Sequence, residues 1–224
     1  MASEIKQGTL ELVNHLPILQ VITPMLIAPI LVVLNNKTLS WLLSFLGALA
    51  CLFISILLMQ TVSDGSILTY YLGGWVPPIG IEYRIDAANS ILLFLISIIS
   101  AIVLIFSYSS LHAEIPEEKH TLFYSCFLLC LTGLLGVVAT ADIFNVFVFL
   151  EISSLSTYVL VAQGAYLDRR ALSASFNYLI MGTIGATFFV IGIGYIYMAT
   201  GSLNMMDIAE RVSQLGDNRT IQAG

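Results

Sequence analysis

Residues 121–163 read TLFYSCFLLCLTGLLGVVATADIFNVFVFLEISSLSTYVLVAQ. The run is 43 residues long, and about 20 apolar residues are enough to cross the hydrocarbon core of a bilayer. It is too long for one crossing and the right length for two. Thr140-Ala141-Asp142 is the natural break, because an aspartate there can accept a hydrogen bond from the first turn of the next helix. Backbone groups in lipid must be satisfied within their own segment, so both halves are expected to be helices rather than strands.

The composition outside this run agrees. Of 224 residues, 58% are hydrophobic and only 10% charged, with 8 Lys+Arg against 14 Asp+Glu. A soluble domain would carry about 25% charge, so the deficit excludes an ordinary globule, a disordered chain and a coiled coil. The net charge of −6 argues against nucleic acid as a partner. The chain reads as an all-α integral membrane protein with six transmembrane helices, at 15–34, 39–59, 87–109, 121–141, 142–163 and 172–200. Only Asp142 and Glu151, among all charged residues, fall inside these limits.

Four units follow from the spans: an N-terminal tail at 1–14, a three-helix segment at 15–109, helices four to six at 121–200, and a tail at 201–224. The loop at 60–86 contains Tyr70, Tyr71, Gly73, Gly74, Trp75, Pro77, Pro78, Gly80 and Tyr83. Aromatic residues suit the membrane–water interface and the Gly/Pro cluster suits a short hairpin. It reads as an ordered cap on the bundle or as a docking surface for a neighbouring subunit. Residues 203–215 place Met205, Ile208, Val212 and Leu215 at helical spacing, so an amphipathic helix is expected there, N-capped by Asn204 and ended by Gly216.

An even number of spans puts both ends on one side. Lys37, Lys119, Arg169 and Arg170 balance Lys6, Arg84, Arg211 and Arg219 across the two faces. Arg169-Arg170 lie in a short loop, which weighs more, so the termini are expected outside. The N-terminus does not read as a secretory signal. Cys51, Cys126 and Cys130 lie in apolar runs without the partners of a metal site, and are expected to pack as small hydrophobes. Thr132, Gly136 and Thr140 recur every four residues, and Ser175, Gly182 and Ala186 share a face; these are helix-packing signals.

Glu151 is the residue that asks for a functional reading. An acid near the middle of a membrane helix costs about 2.5–3.5 kcal/mol on insertion scales, so it must face the bundle interior, water or a partner. Tyr158, seven residues on, shares its face, and Ser154 lies about 60° away. A carboxylate flanked by a hydroxyl and a phenol can hold a proton or a small cation. The alternative is a buried acid that only joins two helices. Asp142 reads first as a helix cap and second as the mouth of a proton path. No lysine or histidine lies within a span interior, so Glu151 has no cationic partner in the membrane from this chain. No metal or cofactor site is expected: a Gly-rich nucleotide loop and an Fe–S cysteine set are both missing from the sequence.

The stretch Gly133-Leu-Leu-Gly136, followed by Thr140-Ala-Asp142-Ile-Phe144-Asn145-Val-Phe147-Val-Phe-Leu-Glu151, resembles the heart of the antiporter-like proton-translocating membrane subunits. These include the D subunit of Mrp-type monovalent cation/proton antiporters and related subunits of respiratory complex I and membrane-bound hydrogenases. Leu72-Gly-Gly-Trp75, Tyr178-Leu-Ile-Met-Gly182 and Thr200-Gly-Ser-Leu-Asn204-Met add to the resemblance, which runs from about residue 15 to 215 and looks nearest to the Mrp D subunit.

The resemblance implies that Glu151 is the membrane glutamate that takes part in proton transfer and pairs with a lysine two helices on. It implies outside termini, a bacterial plasma membrane, and partner subunits in a hetero-oligomer that exchanges H⁺ for Na⁺ or another monovalent cation. The family's subunits carry more than twice as many helices, so the chain looks like an N-terminal part of one. The alternatives are a proton-pumping membrane-arm subunit of an NADH:quinone oxidoreductase or hydrogenase, and a six-helix fragment with a structural role only.

Overall fold

The computed structural model describes residues 13–215 and 219–224. Six helices are long and apolar enough to cross a membrane: α1 (Leu16–Leu34), α2 (Lys37–Thr61), α3 (Ala87–Glu114), α4 (His120–Ala139), α5 (Ile143–Gln163) and α6 (Arg170–Thr200). The expected six-span architecture is what the chain adopts, with ends shifted by a few residues. A short hairpin, β1 (Leu68–Tyr71) with β2 (Glu82–Ile85), separates α2 from α3, and α7 (Met205–Leu215) and α8 (Arg219–Ala223) follow α6.

Local chemistry sets the helix starts. Asn36, Asp86 and Asp142 sit in extended backbone and accept from the backbone N–H three residues on, at Leu39, Asn89 and Asn145. The Asn204 side chain accepts from the backbone N–H of Met206 (3.0 Å) and Asp207 (3.2 Å), which makes it the cap expected for α7. Helix α6 ends where Gly201 turns to φ 67, a conformation that glycine enters without Cβ strain. The expected stop at Gly216 and the tail at 1–12 lie outside the described residues.

Helix α4 is the centre of the bundle, packed against α1, α2, α3 and α5. Over its apolar window 56% is buried, against 6% for α6, whose main packing among the described spans is on α5. Between the inner helices, buried hydroxyls and amides bond from helix to helix. Gln20 donates to Ser97 (3.1 Å), Ser40 to Thr121 (3.3 Å), and Ser125 to the Ala28 carbonyl (2.9 Å). Such contacts suit a membrane, where apolar burial between helices gives little drive. Gly133 lets α5 come close: a Cβ there would stand 2.6 Å from the Phe149 carbonyl and from Ser153 Cβ.

The loop at 60–86 is an ordered cap. Strand β2 bridges to Thr140, and its Glu82 carbonyl accepts from Ala141 N–H (2.8 Å). On the opposite face, Lys37 pairs with Glu117, joining the start of α2 to the α3–α4 link. The Lys37 ammonium holds the exposed Glu117 carboxyl below its ordinary range.

Candidate functional site

Helix α5 carries two rows of polar side chains that meet different fates. One row faces α4 and is bonded. Ser153 and Thr157 both meet Cys130 Sγ, at 3.6 and 3.4 Å, and Ser156 donates to the Ile152 carbonyl (2.7 Å). Cys130 is therefore more than an apolar filler, whereas Cys51 and Cys126 are buried as expected; all three are free.

The other row is Glu151, Ser154 and Tyr158. Glu151 and Ser154 open into a cleft of about 330 Å³ between α5 and α6, lined on the α6 side by Met181, Gly182, Gly185, Ala186 and Phe189. Glu151 is half-buried, and among the described residues its carboxylate has neither a hydrogen bond nor an ion pair. Gly185 leaves open space where a side chain would stand. The small residues of α6 thus do two jobs: they pack the helix on α5 and they leave room before the carboxylate.

Tyr158 does not line the cleft. Its ring is buried at 7% exposure and stands edge-on to Tyr178, with centroids 5.0 Å apart. Its hydroxyl occupies the place where a Cβ on Gly182 would lie. Ser175, one of the small residues picked out by spacing, donates to the Tyr158 carbonyl (2.8 Å).

Asp142 stands apart from this group, nine residues and roughly 13 Å along the helix from Glu151. It caps α5 by accepting from Asn145 N–H (2.7 Å), as expected of its first reading, and it is buried at 7% exposure. Burial raises its carboxyl above the ordinary range, offset in part by bonds from the Asn145 and Phe144 backbone. Around it three distant links are tied together. Ile143 N–H donates to the Leu203 carbonyl, Met205 N–H donates to the Ala141 carbonyl, and Asn204 Nδ2 donates to the buried Glu82 carboxylate (2.7 Å). Tyr83 is held beneath, against Phe149 and Asn145, and burial pushes its phenol up to about 12. Glu82 has no signal in its local sequence beyond a charge in an apolar strand, since its partner lies 122 residues away.

Similarities to known proteins follow the same geometry. Residues 140–223 match the NADH:quinone oxidoreductase/Mrp antiporter transmembrane family model. Over 210 residues the chain is 40% identical to the N subunit of the NADH-quinone oxidoreductase of Desulforudis audaxviator, covering 92% of this chain and 41% of that protein. It is 32% identical over 209 residues to the D subunit of the Na⁺/H⁺ antiporter of Bacillus subtilis, covering 93% and 41%. Identity is thus higher to the respiratory protein than to the antiporter protein, although the sequence motifs look nearer to the latter. In structure the chain is similar to a chain of the membrane-bound sulfane sulfur reductase, an archaeal respiratory membrane complex, with TM-score 0.82 and 30% identity over 95% of this chain and 42% of that one. It also shares the fold of a chain of the Mrp complex from Dietzia sp. DQ12-45-1b, with TM-score 0.75 and 21% identity over 90% and 39%. The chain spans about two fifths of the length of the curated relatives it matches. The chain is thus similar, over more than nine tenths of its own length, to antiporter-like membrane subunits of NADH-quinone oxidoreductase and Na⁺/H⁺ antiporter complexes, and its residues 140–223 match the transmembrane family model they share.

Proposed function

We propose that the chain serves as a membrane subunit of a multisubunit monovalent cation/proton antiporter, with Na⁺ as the exchanged cation, and that Glu151 is its proton-carrying charge. The observation behind this reading is an acid in mid-helix, half-buried at an open cleft and unpartnered among the described residues. An acid in that position is costly unless water, a cation or a basic side chain meets it. Ser154 beside it supplies a hydroxyl that can orient water. Asp142 acts as a helix cap, and the cation that faces Glu151 comes from a helix beyond α6. The membrane is the bacterial plasma membrane, with both ends of the described chain outside.

Antiport in everted membrane vesicles, with the chain in its complex, tests the role. Glu151→Gln keeps the shape and removes the titrating group, so exchange should fall to background. Wild-type exchange at every pH would overturn the assignment.

The second reading is a proton-pumping membrane-arm subunit of a redox complex. The 40% identity to the N subunit of an NADH-quinone oxidoreductase supports it. In either reading this chain moves protons and leaves redox chemistry to other subunits. Neighbouring genes separate the two: small antiporter subunits favour the first, cluster-bearing subunits the second.

A further inference from the structure

On α5, Ser153, Ser156 and Thr157 are bonded, whereas the polar side chains beside α6 are not. Among the described residues neither Glu151, nor the Ser154 hydroxyl, nor the Tyr158 hydroxyl has a hydrogen-bond partner. One such group is ordinary. Three in a row on one helix face, at i, i+3 and i+7, call for water or an added partner, because a polar group left dry in hydrocarbon costs several kcal/mol. Tyr158 makes the point most sharply, since its ring is buried while its hydroxyl is unpaired and, unlike the fully enclosed Gln163 amide, not sealed off, so water can reach it. A buried phenol O–H ordinarily finds a partner.

The place of that hydroxyl is fixed from two sides. At its base, the Tyr158 carbonyl accepts from Ser175. At its tip, the oxygen lies over Gly182, seven residues further along the neighbouring helix. Side chains on a helix lean toward its N-terminus, so the phenol runs from the level of Ser175 back toward the level of Glu151. Gly182 is both the residue under the hydroxyl and part of the wall facing Glu151. The oxygen therefore stands at the end of the Glu151 cleft nearer the α5–α6 turn. Seven residues of helix, a backbone rise of roughly 10 Å, separate Tyr158 from Glu151, and no direct bond joins their side chains, so a proton passing between them needs water. Tyr178, edge-on to the ring, keeps the phenol from swinging away.

We propose that Tyr158 is a gate hydroxyl, the last fixed group of a hydrated path by which protons reach Glu151 from the side of the α5–α6 turn. This rests on the reading of Glu151 as the proton-carrying group. In one passage the Tyr158 oxygen accepts a proton from a hydrated proton on the turn side and releases its own to water on the cleft side. That water delivers a proton to the Glu151 carboxylate, and the phenol ends as it began, neutral and protonated. Gly182 is required because any larger residue would displace the hydroxyl.

Rapid-mixing infrared spectroscopy of the chain in lipid nanodiscs tests it, with the shift from H₂O to D₂O as the trigger. The protonated carboxyl band that Glu151→Gln removes reports exchange at Glu151. Tyr158→Phe keeps the ring and its contact with Tyr178, and should slow that exchange about tenfold or more while leaving the midpoint of the band's pH titration in place. A merely structural tyrosine would leave the rate unchanged or move the midpoint with it. Exchange at the wild-type rate in Tyr158→Phe overturns the gate and leaves the role of Glu151 standing. A wild-type chain with no Glu151 carboxyl band at any pH overturns both. Radiolytic hydroxyl-radical labelling of the unsubstituted chain gives a second reading that needs no variant to fold. Water at the hydroxyl should mark Tyr158 despite its burial, and an unlabelled Tyr158 beside labelled Tyr70 and Tyr71 overturns the proposal.

Discussion

Helix α5 runs from a tied knot to an open cleft. At its N-terminus, Asp142 caps the helix and Glu82 bonds to Asn204, with backbone bonds joining residues 82, 141, 143, 203 and 205. Two and a half turns on, Glu151 faces about 330 Å³ of space with no partner among the described residues. The knot buries its acids, whereas the cleft half-buries Glu151. In the knot, the acids are satisfied by groups fixed in the chain, which holds three distant links in one arrangement. In the cleft, the acid has no such partner among the described residues. The difference separates acids bonded within the chain from an acid that has no partner among the described residues.

The largest effect that would break this contrast is in the knot. Asn204→Leu removes the donor to a buried carboxylate, worth about 1.5–3 kcal/mol, and the cap of α7, worth about 1 kcal/mol. A stability loss of about 3 kcal/mol is expected in denaturant titration of the detergent-solubilised chain. Glu151→Leu should show no such loss, because it removes a mid-membrane acid that has no bond to lose. A comparable destabilisation there would make Glu151 a structural acid.

The phenol of Tyr83 sharpens the same comparison by pH. Its folded pKa of about 12 stands above the ordinary value of 10.0. The folded state holds the proton more tightly, so this contribution is full below pH 10 and is lost as pH rises from about 10 to about 12. The loss approaches 2–3 kcal/mol. Stability measured across that alkaline window should fall in the native chain and stay flatter in Tyr83→Phe.

The glycines provide the smaller tests. Gly133→Ala forces a methyl to within 2.6 Å of the Phe149 carbonyl, and overpacking of this kind costs about 1–3 kcal/mol. Gly185→Ala projects into open space beside the cleft, so unfolding should change by less than about 0.5 kcal/mol. Equal costs at the two positions would mean that the α5–α6 seam is as closed as the α4–α5 seam.

Much of the architecture was readable in one dimension. Apolar run lengths gave the six spans to within a few residues, and Asp142 and Asn204 were legible as caps because capping is chemistry within one turn. Glu151 and Ser154 were found by spacing and share the cleft. Tyr158 was placed on the correct face, but its reach to Gly182 depends on the neighbouring helix. The Glu82–Asn204 bond left no local trace.

The sequence by itself determined that this chain lives in a bilayer, how many times it crosses, and which acid is out of place there. Those conclusions follow from length and transfer free energy, which are properties of each segment alone. Only the tertiary structure decided which acid has a partner. Periodicity says which way a side chain faces, whereas the neighbour that meets it is set by how helices pack. That packing joins Glu82 to a residue 122 positions away and leaves Glu151 before an open wall of small residues.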